Sequence, residues 1–139
     1  DVIVSRQKNQ ALFEEVNDVK VYRIQEREIN ERGKLAYLIR LIRFLIKSAI
    51  LLGRKHLKES YDLIHVHSVP DFEVFASIIP KFKGAKIILD IHDLVPEFYR
   101  NKFNEGKSSI LYKCLIFIEK VSIAFSDHVI ISRSHFKTY

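Results

Sequence analysis

The chain contains no methionine, one cysteine, three prolines and four glycines in 139 residues. A lone Cys114 cannot close an internal disulfide, which agrees with a reducing compartment. It lies in an apolar helical run, so it is expected to be a packed core thiol rather than a nucleophile. No Gly-x-Gly-x-x-Gly or Walker loop is present to cradle phosphates, and no Gly-x-Ser-x-Gly elbow to present a nucleophile. Repeats, low-complexity tracts and internal linkers are also missing. With no methionine at position 1 and no signal-peptide pattern, residues 1–6 read as a strand already under way. Residues 132–139 stop where a strand gives way to a helix. The expectation is an internal segment of a longer protein.

What is present is a hydrophobic fraction of 47% and a formal net charge of +6 with a pI near 9.4. The first argues for a globular chain and against disorder. The second permits an anionic membrane surface, a phosphorylated substrate or nucleic acid as partner. Nucleic acid is disfavoured, because no helix-turn-helix or zinc-module spacing accompanies the basic residues. The length suits one domain over residues 1–139.

Residues 1–6 and 20–25 read as strands joined by a polar connection with Asn17-Asp18 at its turn. A charged loop over 26–34 follows, then a helix from 34 to about 53. A strand over 63–67 leads to a helix from 72 towards 83, N-capped by Asp71, interrupted by Pro80 and closed by Gly84. A strand over 86–91, a long loop over 95–107, a helix capped by Ser108 or Ser109 and running to about 125, and a strand over 128–132 complete the chain. Alternating helices and strands predict an α/β fold with a parallel sheet, its helices on both faces.

The helix beginning at residue 34 is apolar, but Arg40, Arg43 and Lys47 make it too costly to place in hydrocarbon. At about 100° per residue these three fall within an arc of roughly 60°. The segment reads as a sheet-covering helix with a solvated basic stripe, or as an amphipathic helix lying on an anionic membrane surface. The two can hold together.

The chemistry-bearing residues collect at two strand ends. Tyr61-Asp62-Leu63-Ile64-His65-Val66-His67-Ser68 and Lys86-Ile87-Ile88-Leu89-Asp90-Ile91-His92-Asp93 are aliphatic runs that finish in imidazole and small polar groups. Both read as parallel strands buried along their length, and ligands of open α/β sheets bind outside such carboxyl ends. His65 and His67 share a face, with His65 expected to be a core histidine and His67 nearer the site. His92, flanked by Asp90 and Asp93, can donate to a phosphate or sugar hydroxyl, and Asp93 or Glu97 can orient it. Asp93 as a loop cap and Glu97 as a solvated acid are the plainer alternatives. A metal held by His65, His67 and His92 is a further alternative, for which two histidines on one strand are a weak signal.

Those two stretches, continued by Val69-Pro70-Asp71-Phe72 and by Leu94-Val95-Pro96-Glu97, together with Ser126-Asp127-His128-Val129-Ile130-Ile131-Ser132, resemble in order and spacing the N-terminal domain of the family-four glycosyltransferases. The resemblance covers nearly the whole chain. It implies one Rossmann-like half of a GT-B architecture, with the acceptor on this domain and the nucleotide-sugar held mainly by a C-terminal domain. It further implies retention of anomeric configuration, no metal or other cofactor, and work at the cytoplasmic face of a membrane on polysaccharide or lipid-linked acceptors.

By motif match, the resemblance places His92 near the donor phosphates and the transferred sugar, with Asp93 and Glu97 on the same loop and His67 and Ser68 bordering the cleft. The family's first strand with its glycine-rich turn has no counterpart in the sequence, nor has the paired-glutamate motif of the C-terminal domain. The segment alone is therefore expected to transfer no sugar and to carry exposed strand edges.

Overall fold

The computed structural model describes residues 1–27, 34–68, 70–92 and 110–131. It is a mixed α/β structure whose strands form two three-stranded sheets. The chain divides into two compact units, Asp1–Leu51 and Leu52–Tyr139.

In the first unit, β1 (Val2–Arg6) pairs parallel with β3 (Val19–Glu26), and β2 (Phe13–Val16) pairs antiparallel with the other edge of β3. Asn17 and Asp18 both adopt positive φ, 50° and 63°, between the paired residues Val16 and Val19. Two left-handed residues in a two-residue loop match the right-handed twist of the strands they join. The turn is thus where the sequence places it, but β2 is a strand where the sequence suggests a polar connection. Its two consecutive glutamates hide the alternation, and its pairing comes instead from β3: Arg23 forms an ion pair with Glu14, and the Phe13 and Tyr22 rings pack at 5.1 Å. The β1–β3 register shifts after Val4, passing over Ile24 of β3. The Ile24 carbonyl instead accepts from Lys47 Nζ on α1 at 3.2 Å. The neighbouring Gln25 Nε2 donates to the Arg40 carbonyl at 3.0 Å.

Helix α1 spans Lys34–Lys58, a turn beyond the expected end at Gly53. Gly53 is buried, and a Cβ there would sit 2.8 Å from Ile79 Cδ1, so glycine serves close approach rather than termination. The helix ends instead near the buried His56, whose Nδ1 accepts from the Tyr61 backbone N–H at 3.2 Å.

In the second unit, β4 (Leu63–Ser68), β5 (Lys86–Ile91) and β6 (His128–Ile131) form a parallel sheet in that order. Between β4 and β5 run a 3-10 segment (Asp71–Ser77) and α2 (Ile78–Phe82); α3 (Ile110–Phe125) precedes β6. Asp71 is not the N-cap. It is the first residue of the 3-10 segment and is buried, while Pro70 occupies the cap position without a side-chain bond.

The core joins Val74 to Ile87, Leu89 and Ile91, with Ile64, Val66, Phe75, Phe125 and Val129 packed against them. All the strand members of that set lie on one face of the sheet, by register and by period-two alternation. The opposite face carries Leu63, His65 and His67 of β4, Ile88 and Asp90 of β5, and His128 and Ile130 of β6. Leu63 and Ile130 there are exposed. The strands are therefore not buried along their whole length as expected: one face is core and the other is open. Cys114 is exposed as well. Helix α3 is apolar nearly all round, so its composition does not tell which face turns inward; among its described residues, Glu119 and Ser122 are buried.

Asp127 ties this unit together. Its Oδ2 accepts from Lys81 Nζ of α2 at 2.9 Å and from the Ile87 N–H at 3.0 Å, and its own N–H donates to the Ile87 carbonyl at 2.9 Å. The Lys81 hydrogen bond, then that of Ile87, holds its pKa down to about 2 from 3.8. A carboxyl with a depressed folded pKa stabilises fully above its unfolded pKa, and that contribution is lost as pH falls through the folded one. Asp127→Asn should therefore lower Tm at pH 7, with the difference from wild type shrinking between pH 3.8 and about 2. A difference unchanged across that window, read by thermal melts in a pH series, would contradict the charge-based account.

Candidate functional site

The open face of the second sheet gathers its polar side chains at the carboxyl ends of β4 and β5. Register places His67 of β4 directly beside Asp90 of β5. His65 lies two residues before His67, and His92 two residues after Asp90, so alternation puts all four on the same face. The Asp90 carboxylate is mostly buried, yet its Oδ2 lies 3.1 Å from His67 Nδ1, 3.1 Å from His92 Nε2 and 3.5 Å from His65 Nε2. His67 Nδ1 and His92 Nε2 are themselves 3.4 Å apart. The His65 and His67 rings stack with centroids 4.1 Å apart, and the His67 and His92 rings are nearly parallel at 5.7 Å.

Exposure divides the cluster into a floor and a mouth. Asp90 retains 10% of its side-chain accessibility, against 62% for His67, 51% for His92 and 38% for His65. Asp90 Oδ1 is buried with no hydrogen-bond partner among the described residues. A carboxylate is costly to bury unless donors or a cation meet it. Here the imidazole edges supply that, leaving the far side of each ring to solvent. The arrangement can present imidazole N–H groups to an anion, or offer nitrogen and oxygen lone pairs to a cation.

His67 and His92 are thus brought together as one site. His65 is not the core histidine expected; it lies on the solvent face of an edge strand, stacked on His67. Ser68 pairs through its backbone with Ile91 at the end of β4; its side chain, like Asp93 and Glu97, lies outside the described residues. Asp90 is the residue that motif reading underrated. Its signal was available in the Ile87, Leu89, Ile91 alternation, which assigns Asp90 and His92 to the other face. On α1, Arg43 and Lys47 are exposed, whereas Arg40 is half-buried with its guanidinium 5.3 Å from the Tyr37 ring centroid. The Lys47 ammonium is held by the Ile24 carbonyl. No helix among the described residues is long and apolar enough to cross a membrane.

Besides Asp127, a second carboxyl, Glu73, is perturbed. Both oxygens of Glu73, in the 3-10 segment after β4, are buried without a hydrogen-bond partner among the described residues. Burial pushes its pKa up to about 8 from 4.5. Sequence carried no signal of this, since a glutamate in the first turn of a helix is ordinarily solvated. Between those two pH values the unfolded chain ionises Glu73 while the folded chain keeps the proton, so stability falls as pH rises. Glu73→Gln mimics the protonated form. It should raise Tm relative to wild type at pH 8 and leave it nearly unchanged at pH 4, as read by thermal melts. An equal effect at both pH values would show that Glu73 is not buried as a neutral acid.

Compared with known proteins, the chain gives no match to a family model, to a curated protein or to a solved structure.

Proposed function

We propose that the chain is the acceptor-side, Rossmann-like domain of a retaining, nucleotide-sugar-dependent glycosyltransferase of GT-B architecture, working with a second domain that holds most of the nucleotide. The observation that carries this reading is the juxtaposition of His67 and His92 over Asp90 at the carboxyl ends of two adjacent parallel strands. That is where open α/β sheets bind ligands. It is also the position that the motif resemblance gives to residues near the donor phosphates.

The chemistry agrees with the placement. When a glycosyl group leaves a nucleoside diphosphate, negative charge develops on the departing phosphate. A pre-positioned imidazole N–H that meets that charge lowers the barrier. Asp90 fixes the ring of His92 from below, so its outward nitrogen needs no reorganisation at the moment of reaction. His67 extends the same donor surface, and Ser68, Asp93 and Glu97 are proposed to contact sugar hydroxyls.

The test is glycosyl transfer by the intact gene product against a panel of nucleotide-sugars. His92→Ala should lower kcat by about a hundredfold or more, the effect of removing one charge-stabilising donor. Wild-type rates for both His92→Ala and His67→Ala would exclude this site. A non-catalytic Rossmann-like module that docks on a membrane or a partner would then be the better reading.

One observation favours a membrane-surface location for the acceptor. In α1, Leu35, Leu38, Ile39, Ile42, Ile46 and Ile50 are all exposed. At about 100° per residue they form a continuous apolar stripe, bordered on one side by Arg43 and Lys47. An apolar stripe flanked by cations is the pattern of helices that lie in the interface of anionic bilayers. Sedimentation should show stronger binding to vesicles containing anionic lipid than to neutral ones, and Arg43→Glu should abolish the difference. Equal partition into both vesicle types would remove the membrane from the proposal.

A further inference from the structure

Four possible ligand atoms of the histidine cluster lie close together, at spacings that suit metal coordination as well as hydrogen bonding. His67 Nδ1, His92 Nε2 and Asp90 Oδ2 form a triangle with sides of 3.4, 3.1 and 3.1 Å. A tetrahedral metal bound at about 2.0–2.1 Å holds its nitrogen and oxygen ligands about 3.3 Å apart. The triangle therefore has the dimensions of one face of such a coordination sphere. His65 Nε2 lies 3.5 Å from the same Oδ2, a fourth edge of similar length. His65, His67 and Asp90 each offer a ligand atom within 4.8 Å of the others.

From this geometry we infer a binding site for one divalent transition-metal ion, with His67 Nδ1, His92 Nε2 and Asp90 Oδ2 as ligands and His65 Nε2 beside them as the fourth. Imidazole and a single carboxylate select zinc, cobalt, nickel or copper over magnesium and calcium, which prefer oxygen. A cation there would also offset the charge of the mostly buried Asp90 carboxylate, with two imidazole lone pairs and one carboxylate oxygen converging on it. Access is open, since His67 and His92 are each more than half exposed at the rim.

The backbone supports such a site in advance. His65 and His67 are fixed by β4, and Asp90 by its pairing with His67 in β5. His92 follows β5 directly. The named ring nitrogens already face the Asp90 carboxylate, and ligands set on paired strands hold their spacing better than ligands on loops. The donor set stands whichever way sugar transfer is decided, because it uses only these atoms. Metal uptake can fail while transfer succeeds, and the reverse.

The experiment is equilibrium dialysis of the full chain against chelator-buffered zinc, with Co²⁺ as a spectroscopic probe. Wild-type protein should take up one zinc per chain, and Co²⁺ should show the visible bands of a four-coordinate ion. His67→Ala and His92→Ala should each weaken binding by about tenfold or more. Both lie on the solvent face, so their thermal melts should match wild type and exclude misfolding as the cause. Asp90→Asn should weaken binding similarly, and excess Mg²⁺ should not compete. Stoichiometric uptake that survives the His67→Ala, His92→Ala double substitution would place the metal elsewhere and overturn the assignment. Wild-type uptake no greater than that of the double variant would overturn the site itself.

Discussion

The Asp90 carboxylate lies within 3.5 Å of three imidazoles, and it can do so only because the β4–β5 register pairs it with His67. A slip of one residue would turn Asp90 and His92 into the hydrophobic face and bring Leu89 and Ile91 out. Register is in turn fixed from below. Ile64, Val66, Ile87, Leu89 and Ile91 pack with Val74, Phe75 and Phe125, and a one-residue slip of either strand would turn its apolar members out of that cluster. The apolar face thus sets the geometry of the polar one.

Burying a carboxylate beside an aliphatic sheet costs free energy that only donors or a cation can offset. Asp90 meets that cost with the imidazole edges, and this determines how the histidines can act. Each ring turns one nitrogen down to the carboxylate and leaves the other facing solvent. A group held this way is oriented before any ligand arrives, which is the property that electrostatic catalysis and tight ligand binding both need. Asp127 plays the corresponding structural role at the opposite end of the same strand, joining Lys81, Ile87 and the start of β6.

Much of this was legible in the sequence. Periodicity and turn residues located β1, β3 to β6 and the long helices to within a few residues, and the imidazole-rich ends of β4 and β5 stood out unaided. What escaped notice has identifiable physical causes. The strand β2 is held by cross-strand pairs with β3, and Glu14-Glu15 masks its alternation. Asp71 looked like a cap because acids before helices usually are caps, but Pro70 takes that position and Asp71 is buried. A strand histidine such as His65 suggests the core by general habit, although its own spacing from Ile64 and Val66 places it on the other face. The same alternation singles out Asp90. Glu73 could not have been found, since its burial depends on packing that no local pattern encodes.

The central claim is that the histidine-lined strand ends form the ligand site. It is tested most directly by histidine-ring NMR of the intact protein during titration with a nucleoside diphosphate. The account predicts saturable shifts of the His67 and His92 ring signals, with His56 and His128 unchanged. Saturable binding that leaves the His67 and His92 rings unperturbed would contradict it.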